Sequence, residues 1–202
     1  MPSTKDNYII RDKRQMRALA ASTRQEIVDM LPRLGTVSVA ELAAALRRPA
    51  DSLYYHLRIL TRVGLVLTAG SRRANGRREV LFRAVARELS LCYQLGKNGN
   101  GNEVNAIIAS MMRLGIRDFR NSFKAGEASV SGPNRELWAL RRTAWLSQAQ
   151  IAEVNRYIQK LMQEMAAAKH PGRLFAVTVV LTPLARPLPN RDRRTRTSTN
   201  PA

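Results

Sequence analysis

The 202-residue chain is long enough for one full domain or two small ones, and 45% of it is hydrophobic, as in ordinary globular proteins. Lys and Arg number 34 against 15 Asp and Glu, a formal net charge of +19, and only 5% of residues are aromatic, so a polyanionic partner is expected. One cysteine cannot close an internal disulfide, and with two histidines it cannot supply a four-ligand structural zinc site; disulfide scaffolds and zinc fingers are excluded. Residues 1–14 lack an apolar signal core and the longest apolar run, Leu174 to Leu181, is far short of a membrane span, so the expectation is a soluble, cytoplasmic protein.

The charge is uneven. Residues 1–87 carry 17 basic and 7 acidic side chains, residues 88–170 carry 11 and 7, and residues 171–202 carry 6 and 1. The end of the chain, with its prolines, no aromatic and the run Arg191, Arg193, Arg194, Arg196, has too little apolar surface to order itself, and residues 183–202 read as a disordered basic tail. Such a tail is either a solubilising end or a second nucleic-acid contact.

In chain order, Met16, Leu19 and Ala20 fall at helical spacing within 11–21. Ser22 suits the start of a second helix bearing Ile27, Met30, Leu31 and Leu34, which Gly35 ends. Ser38 caps a short helix with Leu42, Ala45 and Leu46 inward, residues 47–50 form a turn, and Asp51 caps a helix running to about Val63 and stopped by Gly64. Leu65 to Thr68 and Glu79 to Val85 read as strands of a hairpin joined by a Gly- and Arg-rich connection. Helices followed by a two-stranded hairpin are the order of a winged helix-turn-helix, in which the last helix enters the major groove.

The residues sharpen that reading. Val39 to Leu46 (VAELAAAL), Asp51 to Leu60 (DSLYYHLRIL), Val63 to Val66 (VGLV) and Leu19 to Ile27 (LAASTRQEI) together resemble bacterial ArsR-like regulators. The resemblance covers roughly residues 8–87 and implies a dimeric DNA-binding transcription factor; it says little about residues 88–202.

At about 100° per residue, Leu53, Leu57 and Leu60 form one stripe of the recognition helix, while Tyr55, Arg58 and Arg62 fall opposite, free for DNA. Ser52, Tyr54 and Tyr55 lie in the first turns, where this motif touches base edges, and are candidates for reading sequence through hydroxyl hydrogen bonds or thymine-methyl contact. Tyr54 stands at an intermediate angle and is equally open to partial burial against the neighbouring helix. Arg58 and Arg62 suit phosphates. His56, beside the leucines, reads as a half-buried histidine with a satisfied hydrogen bond rather than a base reader. In the wing, Arg72, Arg73, Arg77 and Arg78 surround flexible glycines and are expected to follow the phosphate backbone or enter a narrow minor groove.

Beyond the wing, residues 88–95 read as a helix with Leu89, Cys92 and Leu95 aligned, residues 96–102 as a flexible loop, and Glu103 to Lys124 as an amphipathic helix. Glu136 to Leu146 reads as a strand, Ser147 to Ala168 as a helix and Arg173 to Thr182 as a buried strand. In the last helix Ile151, Val154, Ile158, Leu161 and Met165 recur at alternating spacings of 3 and 4, the seam of a helix pair or an ordinary core face. The expected fold is thus α+β and mainly helical: a winged helix-turn-helix over 8–87, then an α+β region over 88–182 for dimerisation and candidate signal sensing.

No catalytic chemistry stands out. Nucleophile-and-base motifs and metal-ligand spacings are absent, Cys92 is alone, and residues 96–101 lack the Walker pattern, so no enzyme, cofactor or metal site is expected. An unknown small-molecule effector of the C-terminal half would leave no signature by which to name it. The leading expectation is a sequence-specific transcriptional regulator binding double-stranded DNA as a homodimer, against an architectural, sequence-tolerant nucleic-acid binder.

Overall fold

The computed structural model describes residues 5–74, 76–168 and 172–185. Strand β1 (Lys5–Ile10) leads into α1 (Lys13–Leu19), whose N-cap Asp12 accepts a hydrogen bond from the Arg14 amide. Helix α2 (Ser22–Leu34) stops at Gly35. Strand β2 (Val37–Ser38) passes directly into α3 (Val39–Leu46) through a capping box: the Ser38 hydroxyl accepts from the Glu41 amide, and the Glu41 carboxylate accepts from the Ser38 amide. Arg47 then adopts the left-handed region (φ 51°), a backbone cost of about 1 kcal/mol for a side chain with a Cβ, and the chain turns into α4 (Ala50–Arg62).

After Gly64 come β3 (Val66–Ala74) and β4 (Arg77–Ala84), an antiparallel hairpin to which β2 adds a third strand in the order β2-β4-β3. Strand β5 (Ala86–Leu91) pairs in parallel with β1, Lys5 opposite Ala86 and Ile10 opposite Leu91. Two helices complete the described chain, α5 (Gly101–Ala125) and α6 (Gln148–Ala167). The whole is α+β and mainly helical, with the helix-turn-helix and its wing toward the N-terminus.

The core sits between the helices and the three-stranded sheet. Leu53, Leu57 and Leu60 of α4 are buried against a cluster that includes Met16, Ile27, Leu31, Leu42 and Val66. Burying each leucine contributes on the order of 2 kcal/mol, and together they fix the rotation of α4 about its axis. Helix α5 joins the same body: Ile107 enters the core cluster, Gln25 Nε2 donates to the Ile107 carbonyl at 3.2 Å, and the Ser22 and Ser110 hydroxyls are 3.1 Å apart.

Several elements depart from the sequence expectation. Residues 88–95 are not a helix: β5 ends at Leu91, and the Cys92 amide then donates to the Ile10 carbonyl, because pairing with β1, more than 80 residues earlier, overrides the local 3-residue spacing of Leu89, Cys92 and Leu95. Residues 96–100 are an ordered turn closed by the buried Asn100, whose side chain donates to the Cys92 carbonyl and accepts from the Gln94 amide. Helix α4 starts two residues early, with Pro49 as N-cap and Asp51 inside the first turn. In α3 Ala43 rather than Ala45 is buried. The strands expected over 136–146 and 173–182 do not form among the described residues, and residues 173–182 are exposed rather than buried. The tail expected to be disordered lies, from residue 186 on, outside the described residues. No helix among the described residues is long and apolar enough to cross a membrane.

Because Leu57 is 1% exposed at the centre of the α4 stripe, Leu57→Ala is expected to lower the unfolding free energy by about 3 kcal/mol in urea titration. A loss below about 1 kcal/mol would mean that α4 is not held by this stripe.

Candidate nucleic-acid interface

Burial of the leucine stripe turns the opposite side of α4 outward. Ser52, Tyr54, Tyr55, Arg58 and Arg62 are all exposed there. Tyr54, for which the sequence left two orientations open, is 57% exposed, and Tyr55 is 55% exposed. Two large aromatic rings standing in water on a helix are costly unless something covers them. The Arg58 guanidinium lies 5.9 Å from the Tyr55 ring centroid, which steadies both side chains. Toward the wing the surface forms an open groove lined by Tyr54, Tyr55, Arg58, Arg62 and Phe82. The Ser52 hydroxyl donates to the Pro49 carbonyl at 2.7 Å, so its oxygen faces outward as an acceptor.

The basic wing is more ordered than its glycines suggested. Strand pairing extends to Ala74 opposite Arg77, with one irregularity between Thr68 and Ser71 where Gly70 adopts φ 91°, a conformation that suits only glycine. All four wing arginines therefore stand on paired strands, not on a loose loop. Strand alternation splits them between two faces. On one face Arg72, opposite Glu79, pairs with Glu79 at 3.2 Å and with Glu41 of α3 at 2.9 Å. The Ser38 amide first and Arg72 second hold the Glu41 carboxyl below the usual carboxylate range, so it stays charged and braces the wing against α3. Arg77 shares that face nearer the tip and has no carboxylate partner among the described residues.

On the other face Arg73 and Arg78 stand directly opposite each other. Like charges at facing positions of a ladder repel; the Arg78 Nε donates to the Ser71 hydroxyl at 2.9 Å, and neither arginine has a carboxylate partner among the described residues. A polyanion laid along this face would relieve the repulsion. The candidate interface therefore consists of an aromatic and basic helix face beside a wing face whose two cations have no acidic partner among the described residues, while Arg72 has become a structural brace. The Ser38 cap was visible in the sequence; the answering Glu41 and the reach of Arg72 back to it, across some thirty residues, come from the structure.

His56 sits between the two sides of α4, edge-on to Tyr55 with ring centroids 5.4 Å apart. Its Nδ1 is buried and meets no hydrogen-bond partner among the described residues, contrary to the satisfied histidine expected. Burial first, then the charges of Arg24 and Arg48, push its pKa below the ordinary value, so the folded protein keeps it neutral. Elsewhere Glu26 on α2 is shared by Arg48, from the turn before α4, at 2.6 Å and by Arg117 of α5 at 2.7 Å. Among the described residues no cluster of His, Cys, Asp and Glu has the makings of a metal site.

The unfolded chain protonates His56 near its ordinary pKa of about 6.5 and the folded chain only below that, so protons favour the unfolded state as pH falls through this range. The contribution of His56 to stability is therefore expected to fall from pH 7.5 to pH 5, so over that range the urea midpoint of the wild type should lose ground relative to that of His56→Gln. Identical pH dependence in both proteins would remove His56 from this role.

A family model described as a helix-turn-helix domain matches residues 19–69, from the end of α1 into β3, the span that contains α2, α3 and α4. No curated protein matches the chain. Helix geometry and this match agree that residues 19–69 resemble a helix-turn-helix domain.

Proposed function

We propose that the protein is a cytoplasmic, sequence-specific transcriptional regulator of the ArsR-like type, acting as a homodimer on a (pseudo)palindromic operator. The observation that carries this reading is the pairing of an outward Tyr54, Tyr55 and Arg58 on α4 with Arg73 and Arg78 on the adjoining wing, which have no acidic partner among the described residues. Ser52, Tyr54 and Tyr55 read base edges in the major groove; Arg58 and Arg62 grip phosphates beside them; Arg73, Arg77 and Arg78 follow the backbone or enter the neighbouring minor groove.

The homodimer is supported by α5. Its N-terminal half buries Val104, Ile107 and Leu114 against the DNA-binding body, but Met112, Ile116, Phe119 and Phe123 recur at spacings of 4, 3 and 4 on an exposed face, with the two phenylalanine rings stacked at 6.3 Å. That is the apolar seam of a helix needing another helix. A two-fold dimer would place two recognition helices about one DNA turn apart, matching a palindrome. Residues 88–182 then serve dimerisation and, if an effector exists, its sensing, while the basic tail, 183–202, adds charge near DNA. The protein acts by binding and not by catalysis. The net charge of +19 is what an architectural binder of bulk nucleic acid would also carry, and specificity separates the two.

The test is fluorescence anisotropy on DNA from upstream of the protein's own gene and on scrambled DNA across a salt series. A preference of about a thousandfold for the native site near physiological salt is expected; equal binding with one salt slope would replace the regulator by the architectural binder. Tyr55→Ala should cost about 1–3 kcal/mol on the native site and little on scrambled DNA. Arg73→Ala and Arg78→Ala should weaken both DNAs alike, each lowering the salt slope by about 1, whereas Arg72→Ala should leave the slope nearly unchanged because Arg72 is already paired.

A further inference from the structure

Helix α6 has no buried residue, although it opens with a full capping box at Ser147 and Gln150 and carries an apolar stripe. The segments on either side, 137–147 and 172–185, belong to no helix or strand and are equally bare: Trp138, Trp145, Leu174 and Val180 are between 50% and 69% exposed, as Leu161 of α6 is at 41%. Arg173 Nη1 pairs with Glu136 at 2.9 Å, so the beginnings of the two segments lie side by side and the three pieces make one arm.

The surface area says how much is missing. The chain exposes 16221 Å², where a compact protein of 22.7 kDa exposes about 9,500 Å². Counting every residue outside the described set at the unfolded-chain maximum removes about 4,000 Å² of the excess and leaves more than about 2,000 Å². A standard interface takes about 800 Å² from each partner, and obligate homodimers take more. The uncovered area thus has the scale of a subunit interface, and it is rich in Trp, Leu and Val, not in the charge that DNA would demand.

We propose that α6 and its two flanking segments form an exchange arm that a second copy of this chain covers, the same face of each copy packing on the other about a two-fold axis. The proposal rests on the homodimer reading above and adds a second, larger contact to it. Position favours a second copy as the occupant: a Cβ built on Gly115 of α5 would lie 3.8 Å from Thr178 Oγ1, so segment 172–185 touches α5 at Thr178, one turn from the exposed Met112 and Phe119 of its seam. A partner docked on that seam arrives at the arm. Pattern favours it as well, since the 3 and 4 spacing of Ile151, Val154, Ile158, Leu161 and Met165 is self-complementary to its own copy. The segment 172–185, rich in β-branched residues, gains there the strand partners that it lacks among the described residues.

The experiment measures the dimer dissociation constant of the full chain by sedimentation, for wild type, Leu161→Glu, Val180→Asp and Phe119→Glu, with circular dichroism to confirm folding. Amide exchange of the wild type, above and below that constant, needs no variant and covers the case of one that fails to fold. The arm predicts that Leu161→Glu and Val180→Asp each raise the constant at least tenfold and that amides of 172–185 are protected only in the dimer. A wild-type dimer weakened by Phe119→Glu, but not by either arm variant, and with fast exchange in 172–185 at every concentration, overturns the arm and leaves the α5 homodimer standing. A wild type that stays monomeric alone and on DNA overturns both. A monomer whose arm becomes protected only on anionic lipid vesicles also overturns the proposal and gives this face to a membrane surface.

Discussion

Everything the helix-turn-helix presents to its surroundings depends on the burial of Leu53, Leu57 and Leu60. A thirteen-residue helix has only a modest intrinsic tendency to form alone, and its axial rotation is set by what it buries. With those three leucines in the core, Tyr54, Tyr55 and Arg58 have no orientation open to them but outward. The leucines do no reading themselves, yet each residue that could read sequence owes its direction to them. The same burial brings His56 part of the way into the core, where its Nδ1 meets no partner among the described residues and burial first, then the charges of Arg24 and Arg48, disfavour the protonated ring.

The wing illustrates how a cluster of like residues divides its labour once the backbone is known. Four arginines within seven positions look equivalent on paper. Strand alternation separates them: Arg72 turns back to Glu41 and Glu79 and holds the hairpin against α3, whereas Arg73 and Arg78 face each other across the ladder. Exposed ion pairs such as those of Arg72 are worth little in stability, on the order of 0 to 1 kcal/mol, so their effect is on the angle of the wing and not on the folding equilibrium. A hairpin set at a fixed angle is a better surface for a rigid duplex than a loose loop.

How far the sequence could be read follows from the range of the interactions. The helices from α1 to α4 are local objects marked by apolar periodicity, by Ser38, and by Gly35 and Gly64, and they stand where the sequence placed them to within a residue or two. The outward face of α4 follows from the same periodicity. The β1–β5 pair joins segments more than 80 residues apart, and neither KDNYII nor ARELSL carries the alternation that announces a strand. The reverse error arose at 173–182, where Val177, Val179 and Val180 favour strand but no strand partner is present among the described residues. Strand propensity describes a side chain suited to a pleated, half-buried surface; it cannot supply the neighbour.

Glu26 has a consequence that reaches across the molecule. One carboxylate, largely buried, is held by Arg48 at the elbow before the reading helix and by Arg117 on the long helix behind it. The two cations take different oxygens, Arg48 on Oε2 and Arg117 on Oε1, so a single carboxylate holds both at once. The elbow and the rear helix are thus pinned to one anion, and the station of the reading helix is tied to α5 by a bond that neither leucine packing nor the wing supplies.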